Sequence, residues 1–201
     1  MNTGTRRCAV SSTAITLSGD GSLSHERELN GFLKDVEGRA LRIAEISLRD
    51  RDEALDLVQD AMIRLARKYS SRPTAEWPPL FYRILQNGIR DWHRRRIVKQ
   101  RVMVFFGRRD SDDGFDPVAA APDPAGRTPE EQLDNNAAML SLETALYELP
   151  ARQREAFMLR TFEGLDVAAT ALAMGCGEGS VKTHYSRAVH ALRARLGEHW
   201  Q

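Results

Sequence analysis

The sequence predicts an all-α chain: two small helical domains joined by a flexible acidic linker. Three observations predict it. Apolar residues recur at three- and four-residue steps through most of the chain. Proline, glycine and acids crowd into one internal stretch. No segment alternates apolar and polar residues as a half-buried strand does. A length of 201 residues with 42% hydrophobic content suits one ordinary domain or two small ones.

Residues 1–23 read as a disordered tail. Arg6, Arg7 and the run after them faintly resemble a leader, but Ser11, Ser12, Thr13 and Thr16 break that run. The first helix is expected over residues 26–47, with Leu29, Phe32, Leu33, Val36, Ala40, Ile43 and Ala44 on its buried stripe. A second is expected over residues 52–69, capped by Asp52 or Asp50. Leu55, Val58, Ala61, Met62, Leu65 and Ala66 form its stripe. The third starts near Pro78 and Pro79, because proline fits a first helical turn where its missing N–H has no partner to lose. Phe81, Ile84, Leu85, Gly88, Ile89 and Trp92 carry it to Arg96. Together these make a three-helix bundle over residues 24–101.

Residues 102–128 form the linker. They contain Gly107, Gly114, Pro117, Pro122, Pro124 and Gly126, a composition that cannot build a packed core. A four-helix domain over residues 129–198 follows. Thr128 and Glu131 resemble a capping box around Pro129, and that helix runs to Glu148. Leu149 and Pro150 break the chain. A second helix covers 151–162 and ends at Gly164. A short one, 166–174, is capped by Asp166 and stopped by Gly175. The last begins near Glu178, with Gly177 at its cap, and buries Val181, Tyr185, Ala188, Leu192 and Leu196.

The formal net charge is only +1, but charge is segregated. Residues 90–101 hold six bases (Arg90, Arg94, Arg95, Arg96, Lys99, Arg101) and one acid, Asp91. Residues 108–134 hold eight acids and three bases. Local field steers DNA more than net charge does. Cys8 and Cys176 have neither metal-ligand nor disulfide spacing, and read as the reduced thiols of a cytoplasmic protein. No apolar run approaches the ~18 residues of a membrane span. No nucleotide loop, metal cluster or nucleophile elbow is present, which argues against an enzyme and against a cofactor.

Two helices around Gly175-Cys176-Gly177 carry the spacing of a helix-turn-helix. The second helix of such a unit enters the major groove. Its exposed candidates are Glu178, Ser180, Lys182, Thr183, His184, Ser186 and Arg187. Lys182 and Arg187 suit phosphates, while Thr183 and His184 reach bases or backbone. In the first domain, Asp56, Gln59, Asp60 and Ile63 share one helix face. An aliphatic side chain beside carboxylates suits a protein partner better than a solvated face. The third helix interleaves aromatic and basic residues as a single-strand track does. Trp92 lies on its core stripe and is expected to be buried. The loop 70–77 before it is a place to receive an extruded base. The arginines after Trp92 have no acidic partners nearby.

The run Leu149-Pro150-Ala151-Arg152-Gln153-Arg154-Glu155-Ala156-Phe157, then Gly164, Gly175 and Gly179-Ser180-Val181-Lys182-Thr183, resembles region 4 of the sigma-70-type transcription initiation factors. The segment from Asp56 to Leu65 resembles region 2.2. Tyr82-Arg83-Ile84-Leu85-Gln86-Asn87 with Arg90, Asp91 and Arg94-Arg95-Arg96 resembles regions 2.3 and 2.4. The likeness is strongest to the small extracytoplasmic-function (ECF) group. The resemblance implies that Asp56, Gln59, Asp60 and Ile63 dock on the β′ clamp helices of core RNA polymerase. Region 4 would meet the β flap and double-stranded −35 DNA. Arg72, Trp77, Arg83, Asn87, Arg90, Arg94 and Arg95 would hold the melted −10 strand, and the linker would pass through the polymerase cleft. An anti-sigma factor is a further partner that the family often uses. Three positions depart from the family pattern. Leu80 stands in place of tryptophan, His184 in place of arginine, and Thr170 at a usually aliphatic site. A plain dimeric helix-turn-helix regulator is the alternative. It has no use for the Asp56–Ile63 face or for the aromatic-basic helix.

Overall fold

A computed structural model of the chain describes residues 19–105 and 129–197. The expected tail over residues 1–18, most of the linker and the Thr128 cap lie outside the described residues. Seven α-helices occur among them: α1 (Gly19–Leu48), α2 (Arg51–Tyr69), α3 (Trp77–Phe105), α4 (Pro129–Glu148), α5 (Ala151–Thr161), α6 (Val167–Met174) and α7 (Glu178–Leu196). A short 3-10 turn, Thr74–Glu76, precedes α3. No strand occurs among the described residues, so the all-α expectation holds.

Two boundaries move. α1 starts at Gly19, inside the expected tail. α3 continues to Phe105, past the expected start of the linker. Arginine, lysine and glutamine are good helix formers, and no proline or glycine interrupts the chain between Gly88 and Gly107.

In the first domain, α1, α2 and α3 bury Val36, Ala40, Ile43, Ala54, Val58, Leu65, Phe81 and Leu85 together. Asp50 caps α2, accepting the Glu53 N–H at 3.0 Å. Gly88 lets α2 and α3 approach closely. A Cβ there would lie 3.0 Å from a Leu57 methyl group. In the second domain, Leu146, Leu149, Ala156, Leu159, Met174, Val181, Ala188 and Leu192 form the core. Asp166 caps α6 through the Ala169 N–H at 2.7 Å. Gly175 ends it in the left-handed region, at φ 65°, with its N–H on the closing carbonyls of α6.

Thr170 is fully buried, and its hydroxyl donates to the Asp166 carbonyl at 2.6 Å. The polar departure is therefore satisfied within its own helix. α6 packs against α5 and α7, and also against α3 of the first domain.

Removing the α6 cap should be measurable. Asp166→Ala should lower the unfolding free energy by about 1 kcal/mol, read as a lower urea midpoint at unchanged m-value. An unchanged midpoint would refute the cap.

Candidate nucleic-acid and polymerase interfaces

The turn between α6 and α7 is rigid for identifiable reasons. Cys176 N–H donates to the Ala171 carbonyl, and the Ser180 and Val181 N–H groups donate to the Gly177 carbonyl. Arg152 on α5 reaches across to the Met174 carbonyl at 2.8 Å and holds Glu155 at 3.1 Å. Arg154 donates to the Tyr147 carbonyl at 2.7 Å, satisfying the end of α4. Sequence reasoning missed these two arginines as positioning groups. Arg154 is 7% exposed and Arg152 half-buried, and neither placement is marked in the sequence. Burial lowers the Arg154 pKa, and burial is likewise the largest influence on Glu155, raising its pKa against the pull of Arg90 and Arg152.

On α7, Glu178, Ser180, Lys182, Thr183, Ser186 and Arg187 are exposed, as expected. His184 differs. It is half-buried, and its Nδ1 is enclosed without a hydrogen-bond partner. Thr183 donates its hydroxyl to the Gly179 carbonyl at 2.9 Å, which leaves its oxygen lone pairs as the remaining hydrogen-bonding capacity. Phe157 stacks on Tyr185 with ring centroids 6.1 Å apart, which fixes the inner face of α7.

On α2, Asp56, Gln59, Asp60 and Ile63 all lie exposed on one face, with Ile63 at 48%. Leu55, expected on the buried stripe, is instead exposed, its place in the core taken by Ala54, and it widens the apolar part of that face. Asp60 pairs with Arg64 at 2.6 Å across one helical turn, an exposed pair of small energetic worth.

The α3 candidates separate into two groups. Arg83, Asn87, Arg94 and Arg95 are exposed, and Arg83, Asn87, Arg90 and Arg94 follow one another along one helical face. Arg72 is exposed and 3.6 Å from Glu76. Arg90 is half-buried; it donates to the Asn87 side-chain oxygen at 2.8 Å and to the Gln86 carbonyl at 3.0 Å.

Trp77 does not belong with them. It is 1% exposed, its indole N–H donates to the Tyr69 carbonyl at 3.0 Å, and its ring lies against His25 and Phe32. An amphipathic ring at the start of α3 finds both an apolar bed and a carbonyl at the end of α2, so it closes the core and offers no face to a base. Trp92 is half-buried, less than expected, with Arg96 5.1 Å from its ring centre. The arginines after Trp92 also have an acid nearby: Arg94 lies 3.4 Å from Asp91.

These features define a helix-turn-helix DNA-binding protein with a second domain that presents a basic helix and a separate mixed acidic-apolar face. Comparison with known proteins gives the particular family. Residues 30–97 match Sigma-70 region 2, and residues 139–192 match Sigma-70, region 4. The chain is 31% identical over 160 residues to the ECF RNA polymerase sigma factor EcfG of Rhodopseudomonas palustris, covering 78% of this chain and 79% of that protein. It is 29% identical to the ECF sigma factor SigM of Mycobacterium tuberculosis, covering 78% and 70% respectively. Among solved structures it resembles the sigma factor RpoE bound to the anti-sigma factor NepR from Bartonella quintana. The TM-score is 0.61 and the identity 26%, covering 87% of this chain and 97% of that one. The chain belongs to the ECF sigma factors of the sigma-70 family, and it directs RNA polymerase to promoters. Proteins of this family are initiation factors rather than enzymes. Among the described residues, no helix is long and apolar enough to cross a membrane.

The placement of Trp77 has a measurable consequence. Trp77→Ala should lower the unfolding free energy by roughly 3–5 kcal/mol, as expected for a buried aromatic. Full thermal stability with impaired promoter opening would instead assign the ring to DNA.

Proposed function

We propose a residue-level division of labour for this sigma factor. Asp56, Gln59, Asp60 and Ile63 on α2 dock on the β′ clamp helices of core polymerase. The first half of α7, led by Lys182, Ser186 and Arg187, grips double-stranded −35 DNA in the major groove, with α4–α7 meeting the β flap. Arg83, Asn87, Arg90, Arg94 and Arg95 on α3, with Arg72 ahead of them, follow the melted −10 strand. One observation supports this reading: α7 and α3 each carry exposed basic residues and α2 a separate exposed acidic-apolar face, all on helices whose other sides are packed into the core. A free-standing repressor has no use for the third surface. An anti-sigma factor is a fitting regulator, since RpoE of Bartonella quintana is held by one.

The direct test is transcription in vitro with purified core polymerase and genomic templates. The protein should yield discrete promoter-specific transcripts; failure to bind core would refute the reading. Asp60→Lys should weaken core binding about tenfold while leaving double-stranded DNA binding by the full chain unchanged. Equal losses in both assays would refute the separation of surfaces. Lys182→Ala should weaken −35 binding and reduce the salt slope by about one; an unchanged slope would remove Lys182 from the phosphate contacts.

A further inference from the structure

The last carbonyls of a helix have no partner inside it. At the end of α2, two of them are taken by ring N–H groups. The Tyr69 carbonyl accepts the Trp77 indole N–H at 3.0 Å and the Arg72 backbone N–H at 3.0 Å. The Ser70 carbonyl accepts from Nε2 of His25, which stands 45 positions earlier on α1. A carbonyl only accepts, so Nε2 carries the proton in this contact. The other ring nitrogen, Nδ1, lies 3.7 Å from the Glu28 carboxylate, about one turn further along α1. The imidazole also lies against Trp77, with ring centroids 5.0 Å apart. His25 therefore touches both ends of the segment 70–77, its start through Ser70 and its end through Trp77. Its side chain is 35% exposed, so filling the core does not account for it.

Between these anchors, every residue from 71 to 76 is exposed. Two internal contacts add shape. The Glu76 backbone N–H donates to the Pro73 carbonyl at 2.9 Å, and the Arg72 guanidinium lies 3.6 Å from the Glu76 carboxylate. The loop thus has a defined form although none of its own side chains enters the core. A loop without such anchors loses backbone entropy when it captures a strand. A loop already held in the receiving shape is spared that loss.

We propose that His25 is a positioning residue for promoter opening: by joining α1 to both ends of the 70–77 segment, it fixes the loop in the shape that receives the unpaired −10 strand. The inference rests on the assignment of Arg72 and the α3 arginines to that strand made above. It gives the first turns of α1 a part in strand capture without any contact to DNA.

The test uses holoenzyme assembled from the full chain and core polymerase. The probe is a fork DNA, double-stranded through −35 and single-stranded over −10, taken from a promoter mapped in the transcription assay. His25→Phe keeps a ring against Trp77 and loses the donor. His25→Gln keeps an N–H donor and loses the ring. His25→Phe should weaken fork binding about fivefold, the worth of one hydrogen bond, and His25→Gln should recover most of that loss. Both should bind core polymerase and double-stranded −35 DNA as wild type does. In the free chain, backbone amides 71–76 should exchange hydrogen faster in His25→Phe and return toward wild type in His25→Gln. Wild-type fork affinity in His25→Phe would overturn the proposal. Losses of equal size in core binding and duplex binding would also overturn it, because they report a general loss of fold. Failure of the −10 assignment is read separately, as wild-type holoenzyme that binds the fork no better than a duplex ending before the single-stranded segment.

Discussion

A carboxylate removed from water has to be compensated, and the second domain is arranged around one such group. Glu155 is 5% exposed in the middle of α5. Arg152, one turn earlier, holds it and also donates to the Met174 carbonyl at the end of α6. Arg154, beside it, closes the end of α4 through the Tyr147 carbonyl. Glu155 and its two neighbouring arginines thus tie α5 to the ends of α4 and α6, including the turn before α7. Burial is the largest influence on Glu155 and raises its pKa in spite of its arginine neighbours. The cluster costs stability that an apolar residue would not, and it specifies geometry instead. The Arg152–Glu155 part of the motif that marks region 4 in the sequence therefore fixes the turn that leads into α7.

The contact between the two domains combines packing with charge. Inside each domain, aliphatic and aromatic side chains are fully enclosed, and such burial is worth roughly 1.5–3 kcal/mol per large side chain. Between the domains, α6 packs against α3, and the apolar residues of both domains belong to one continuous cluster. Around that packing stand ion pairs whose arginines are partly solvated: Arg39 is 54% and Arg42 48% exposed. Pairs of that kind are individually weak and are screened by salt, so most of the stabilisation of the contact falls to the helix packing.

Helix existence was legible in the sequence because it depends on periodicity, and every expected helix is present. The ends were less legible. α3 runs on to Phe105 because its basic tail has good helix propensity and no breaker, a property that an apolar stripe does not report. The exposed faces of α2 and α7 follow from the same periodicity that buries their other sides. Trp77 was not legible. Beside arginines it has the composition of a stacking platform, and only the approach of His25, Phe32 and the Tyr69 carbonyl makes it a core residue. The contacts between domains were illegible for a stronger reason. Arg39 and Glu163 are 124 positions apart, and neither lies in a motif that announces a partner.

The three departures from the family pattern have separate physical outcomes. Thr170 is absorbed locally, since it is fully buried and its hydroxyl bonds to the carbonyl one turn back. Leu80, with Pro78 and Pro79 before it, packs against the first domain's core at the start of α3. The anchoring of the preceding loop then falls to Trp77. His184 is the departure that changes a surface. The imidazole, shorter than an arginine, is half-buried with one nitrogen enclosed. In the first half of α7 the exposed positive charge therefore falls on Lys182 and Arg187, five residues apart, with Ser186 between them. With His184 drawn inward, that first half of α7 offers two side-chain cations where an arginine at 184 would have offered a third.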